Sequence, residues 1–145
     1  MILVETSAWV EFYRRTGSPV HLTLRRLMRE SDSLAISEPI VMELLAGSQP
    51  SDHLSMVRRR VLAFRMLRVG GLETYERAAA IQRVCRAGGE TVRSMIDCLI
   101  AAVAIREGAT ILHLDRDFDV IARHTPLRVE PTGGSDGQGG PGGRE

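Results

Sequence analysis

The chain of 145 residues contains no lysine, and all 19 of its basic residues are arginine. That absence removes the phosphate-gripping lysine of nucleotide-binding loops, the lysine of Schiff-base enzymes and the lysine that aspartyl-phosphate receiver domains need. Cysteine is scarce. Cys85 and Cys98 have neither metal nor redox spacing, and they read as reduced, buried small residues, as in a cytoplasmic protein. No apolar run nears the roughly 20 residues of a membrane helix. Residues 1–4 are apolar, but Glu5 follows and no basic segment precedes them, so a secretory signal is not expected. Neither a nucleotide-binding glycine loop nor a nucleophile motif is present, which argues against a hydrolase of small phosphoesters. Net charge is only +1, so a nucleic-acid partner would have to be held by a local basic patch.

What remains is an ordinary globule, with 43% hydrophobic and 26% charged residues and length for one domain. Residues 1–4 read as a buried strand. Thr6 or Ser7 would cap a helix through Tyr13, and a second helix follows over 21–29 with Leu22, Leu24 and Leu27 partly buried. Strands are expected at 34–36, 66–69, 110–114 and 127–129. Helices are expected at 40–46, 52–64, 73–87, from Ser94 to Gly108, and at 118–123. Strands alternating with helices predict an α/β fold with a parallel sheet. From Pro131 to the end glycine dominates, so residues 1–130 are expected to form the domain and 131–145 a disordered tail.

The acids carry the chemistry. Glu5 directly follows an apolar strand, where a carboxylate is expensive to bury alone. Asp97 lies in the first turn of a helix capped by Ser94, Asp115 and Asp117 follow the strand at 110–114, and Glu43 sits among apolar helical neighbours. Singly these are dipole partners, caps and turn formers. Jointly they place carboxylates from separate segments at the carboxyl edge of a parallel sheet, where such folds bind ligands. Crowded carboxylates repel, and a divalent cation is the ordinary way to keep them ionised; all-oxygen ligands suit Mg²⁺ or Mn²⁺.

Three stretches, MILVETSAW, EPIVMELLAG and ETVRSMIDCLIAAVAIREGATILHLDRDFDVIARHTPL, make the sequence resemble the PIN-domain ribonucleases, and among them the VapC-type toxins of bacterial toxin–antitoxin modules. The resemblance covers residues 1–129. It implies a Rossmann-like α/β/α sandwich with a mostly parallel five-stranded sheet, and Mg²⁺- or Mn²⁺-dependent endonuclease action on RNA. It implies metal ligands at Glu5, Asp97, Asp115 and Asp117, and catalytic acids at Glu43, Asp97 and Asp115. Thr6 and Ser7 match a family feature beside the pocket, with hydroxyls suited to a carboxylate or a phosphate. The partners implied are an RNA substrate, a VapB-type antitoxin docked on the early helices, and a second copy, giving a homodimer and a larger hetero-oligomer with antitoxin. One position departs: the family pattern Asp-Thr-Ser is here Glu5-Thr6-Ser7. The longer arm displaces the carboxylate by about 1.5 Å, and misplacement of that order costs roughly 100-fold in rate. Weakened activity is therefore expected, and a silent module that binds antitoxin or RNA without cleavage is the alternative.

Arg93 and Arg116 flank the acidic segment and are suited to RNA phosphate. The run Arg58-Arg59-Arg60 reads as a solvated face, because consecutive residues do not share one side of a helix. His113 reads as a structural histidine, and Trp9, Phe12 and Tyr13 as core or interface rather than a base-stacking platform.

Overall fold

The computed structural model describes residues 1–47 and 51–133, with side chains at all of these but 51 and 52. Residues 48–50, between the helices expected at 40–46 and 52–64, lie outside these ranges, and so does the expected disordered tail from 134 onward. Five strands form one sheet: β1 (Ile2–Val4), β2 (Leu34–Ile36), β3 (Arg65–Met66), β4 (Thr110–Leu112) and β5 (Arg128–Val129), in the order β3-β2-β1-β4-β5. Every pairing is parallel, with Leu3 opposite Ala35 on one side and Ile111 on the other. The sheet is thus wholly parallel, where the resemblance implied mostly parallel.

The helices are α1 (Thr6–Tyr13), α2 (Pro19–Glu30), α3 (Glu38–Gly47), α4 (Ser51–Val61), α5 (Leu72–Ala87), α6 (Met95–Glu107) and α7 (Arg116–His124). The chain moves one way along the sheet through β1, β2 and β3, then returns to β4 and β5. Right-handed crossovers therefore put α1 to α4 on one face and α5 to α7 on the other. The direction reverses between β1 and β4, and the crevice at their carboxyl ends is where such sheets bind ligands. Leu3, Val4, Ile111, Leu112, Ile100 and Phe118 are fully enclosed in the core between the layers. Trp9, also fully buried, donates from Nε1 to the Val4 carbonyl at 3.1 Å, which pins α1 across the end of β1.

Several local expectations change. Glu5, not Thr6 or Ser7, is the N-cap of α1, because its own carboxylate reaches the Ser7 amide. Leu22, expected to be partly buried, is exposed, since α2 turns Val20, Leu24 and Leu27 to the core. The strand expected over 110–114 stops at Leu112. Beyond it the chain bends, and Leu114 is left 54% exposed. His113 therefore lies just past β4 rather than inside it. The strand expected over 66–69 shrinks to the edge pair Arg65–Met66. Ser94 caps α6, and Gly108 ends it in a left-handed conformation at φ 65°, as the sequence suggested.

Candidate metal centre

Two chain exits from the sheet build the site. At the end of β1, Glu5 is only 3% exposed. Its Oε2 accepts from the Ser7 amide at 2.8 Å and from the Ser7 hydroxyl. Ser7 Oγ itself accepts from the Leu114 amide at 2.8 Å, so the acid after β1 is tied to the loop after β4. One residue on, Thr6 Oγ1 donates to Glu43 Oε1 at 2.8 Å and brings the acid of α3 to the start of α1. Both hydroxyls are thus occupied by carboxylates.

At the end of β4, Asp115 caps α7, its Oδ1 accepting from the Asp117 amide at 2.9 Å. Asp117 is buried, and its Oδ2 accepts from the amides of Arg93 at 3.0 Å and Ser94 at 3.3 Å. Ser94 Oγ then accepts from the Asp97 amide at 3.4 Å and fixes the first turn of α6. This chain of bonds fastens α7 to α6. Oxygens of Asp97, Asp115 and Asp117 all come within 4.8 Å of one another. A cleft of about 340 Å³ is lined by Glu5, Thr6, Glu43, Asp97 and Asp115, while Asp117 is buried and does not line it. The side chains of Arg93 and Arg116 are exposed and make no ion pair among the described residues.

The electrostatics follow from crowding without a counter-charge. Burial pushes Glu5 up to about 7, against the two Ser7 hydrogen bonds that hold it down, and Glu43 and Asp115 add repulsion. Burial, then the charges of Glu5, Asp115, Asp117 and Glu43, raise Asp97 to about 8. At neutral pH the cluster keeps protons unless a cation takes their place, and metal binding to it must release them. The donor set, hard oxygens from three separate segments, fits a divalent ion of the Mg²⁺ or Mn²⁺ kind and not zinc.

A support the sequence did not reveal is His113 with Asp119. His113 Nδ1 accepts from the Asp115 amide at 2.9 Å, and Nε2 lies 3.3 Å from Asp119 Oδ1. The ring, buried against Phe118, therefore holds the backbone of Asp115, with its Nε2 proton directed at Asp119. Asp119 reads in sequence as one more helix-start acid. The available signal was its place one turn into α7, within reach back to the end of β4.

Residues 2–124 match the PIN domain family. Ribonuclease VapC11 of Mycobacterium tuberculosis is 49% identical over 130 residues, covering 89% of this chain and 97% of that protein. VapC ribonuclease Mb1587 of Mycobacterium bovis shows the same 49% identity over the same share of both chains. Among solved structures, VapBC2 from Rickettsia felis bound to a DNA fragment from its promoter superposes with a TM-score of 0.69 at 21% identity, covering 90% of this chain and 98% of that one. FitAcB from Neisseria gonorrhoeae gives a TM-score of 0.69 at 22% identity, covering 91% and 98%. At such identities the structural likeness bears on the fold alone. Domain match, sheet order and identity with curated relatives agree: the chain belongs to the PIN-domain family, and within it to the VapC ribonucleases.

Proposed function

We propose that this chain is the toxin of a toxin–antitoxin pair: an endoribonuclease, dependent on Mg²⁺ or Mn²⁺, that cuts tRNA or another structured RNA. The observation that carries this reading is the buried carboxylate cluster at the crevice between β1 and β4, whose protons a divalent cation would displace. Glu5, Asp97, Asp115 and Asp117 would hold the cation, which when bound supplies positive charge for the phosphate and acidifies a water for in-line attack. Glu43, held on the cleft wall by Thr6, is placed to orient that water and accept its proton. Asp97 and Asp115 would act on the reacting phosphate only through the cation they hold. Arg93 and Arg116 grip the phosphates on either side. Thr6 and Ser7 serve the RNA through the acids they hold. Asp117 also acts on the backbone, locking the start of α6 to α7.

The partner is a VapB-type antitoxin that covers the early helices beside the cleft and shuts the enzyme off. The toxin works as a homodimer, joins a larger hetero-oligomer with antitoxin, and acts in the cytoplasm. Among the described residues no helix is long and apolar enough to cross a membrane. The direct test is a tRNA pool incubated with the native chain and Mn²⁺, with and without EDTA. Fragments that vanish with EDTA support the enzyme. RNA binding with no fragments at any Mn²⁺ level would mean that Glu5, in place of Asp, has left a silent binding module.

A further inference from the structure

The acid cluster is steadied by a carboxylate that does not belong to it. Asp119 stands in the first turn of α7, with its side chain 58% exposed. It lies outside the triad of Asp97, Asp115 and Asp117, and it does not line the acidic cleft. Its neighbour is the His113 ring, whose Nε2 is 3.3 Å from Asp119 Oδ1. The weight of that contact comes from what the other side of the ring holds.

The backbone around Asp115 is tied down by side chains. The Leu114 amide donates to Ser7 Oγ at 2.8 Å, the Asp115 amide to His113 Nδ1 at 2.9 Å, and the Asp117 amide to Asp115 Oδ1 at 2.9 Å. The last bond occupies Oδ1, while Oδ2 accepts no hydrogen bond among the described residues. The direction of Oδ2 is therefore set by where the Asp115 backbone sits, and the bond to His113 holds its amide. A ring nitrogen accepts only when it carries no proton, so the proton of this neutral ring is on Nε2 and faces Asp119. The His113 side chain is only 5% exposed and packs on the fully buried Phe118 ring at 5.2 Å. Water has little room to take the place of Asp119. Without that carboxylate the Nε2 proton would be buried and unmatched, and the ring would have to swing toward solvent, giving up the Asp115 amide.

We propose, on the metal-dependent nuclease reading above, that Asp119 is a positioning residue of the metal centre. It fixes the His113 ring, the ring fixes the Asp115 amide, and the fixed backbone leaves Oδ2 as the oxygen that Asp115 offers to the cation. Asp119 touches neither the other acids nor the substrate, and acts only through the ring. Outer partners that orient the groups of a metal site commonly matter nearly as much as the ligands. Here the oriented imidazole grips the backbone of a ligand instead of the ion. What the ring needs at position 119 is an acceptor for its Nε2 proton, and an amide oxygen can supply that as well as a carboxylate. This separates the role from a general effect of negative charge near the site, which an amide would abolish.

The test compares the full chain with its Asp119→Ala and Asp119→Asn variants, and repeats Asp119→Ala on His113→Phe. Mn²⁺ affinity is read by calorimetric titration, and hydrogen exchange at the Asp115 amide is read by NMR in the metal-free protein. Asp119→Ala should weaken Mn²⁺ binding about 10-fold and speed exchange at the Asp115 amide by about 5-fold or more. Its melting temperature should move by no more than about 2 °C, as expected of an exposed side chain. Asp119→Asn should stay within about 3-fold of the native chain in both affinity and exchange. On His113→Phe, Asp119→Ala should add no further loss, because the ring through which it acts is gone. Equal losses of Mn²⁺ affinity in Asp119→Ala and Asp119→Asn would overturn the proposal in favour of plain charge. Native exchange at the Asp115 amide in Asp119→Ala, or a further loss on His113→Phe, would overturn it as well. Mn²⁺ affinity unchanged in Asp119→Ala sinks the role of Asp119 and spares the metal centre, while absence of Mn²⁺ binding by the native chain sinks the metal reading and this role with it.

Discussion

Replacing Asp97 with asparagine should stabilise this protein while disabling it. Asp97 is 5% exposed, and its carboxyl titrates near 8 instead of the ordinary 3.8, because burial and four neighbouring acids disfavour its charge. The sign follows from linkage: a carboxyl raised in the folded state favours folding most at low pH, and that advantage drains as pH climbs from about 4 toward 8. One pKa unit is worth about 1.4 kcal/mol, so at neutral pH keeping this group in the fold without metal costs on the order of 4 kcal/mol. Glu5, raised to about 7, shares the proton balance, which makes the cost a property of the cluster. Asparagine keeps the shape and removes the charge, and it should recover roughly 2–4 kcal/mol near pH 8. At about 3 °C per kcal/mol for a chain of this size, the metal-free melting temperature should rise by roughly 6–12 °C. At pH 4.5 the gain should shrink to about 1 kcal/mol, because the folded carboxyl is uncharged there while the unfolded one is still mostly ionised, and it should vanish below about pH 3. Added Mn²⁺ should raise the melting point of the native chain far more than that of the variant, and RNA cleavage by the variant should fall at least about 100-fold. Scanning calorimetry across pH settles it. A variant that gains no stability near pH 8, or gains equally at pH 4.5, would show that these carboxylates do not crowd one another.

Further outcomes follow from the same geometry. Glu5→Asp restores the shorter arm of the family pattern and should speed cleavage by up to about 100-fold in a single-turnover assay with Mn²⁺. Ser7→Ala removes the hydroxyl that both holds Glu5 and anchors the Leu114 amide. Glu5 should then titrate higher still, shifting the rising limb of the pH–rate profile to higher pH and weakening Mn²⁺ affinity by roughly 10-fold or more in calorimetric titration. His113→Phe keeps the packing on Phe118 but frees the Asp115 amide, and it should lower the turnover rate about 10-fold with little change in melting temperature. Trp9→Ala empties a fully buried site and strands the Val4 carbonyl, costing roughly 3–5 kcal/mol in denaturant unfolding.

The sequence was most legible where one local signal decided the structure. The Ser94 cap, the apolar periodicity after it and the left-handed Gly108 marked α6 closely, and the apolar run after Gly108 marked β4. Most acids of the site could be named because they stand at the end of an apolar strand or the start of a helix, and Glu43 because it interrupts an apolar helical run, all positions where charge needs a reason. What stayed hidden depends on tertiary placement. That Glu5 caps its own helix requires its carboxylate to fold back on Ser7, a choice made by the shortage of other donors in a buried crevice. That β4 stops at Leu112 depends on Ser7 drawing the Leu114 amide away from the ladder. The hold of His113 on Asp115 is local, two residues apart, but it depends on the ring being fixed against Phe118 and Asp119, which the residue types alone did not foretell.

The proposed chemistry requires oxygens from the end of β1, the start of α6 and the end of β4 to converge on one divalent ion. Crystals soaked in Mn²⁺ and measured for anomalous scattering test that directly. A manganese peak should stand in contact with Asp97 and Asp115, with Glu5 among its neighbours, and should disappear from Asp97→Asn crystals. A cluster that stays empty at saturating Mn²⁺, or a peak bound elsewhere on the chain, would contradict it.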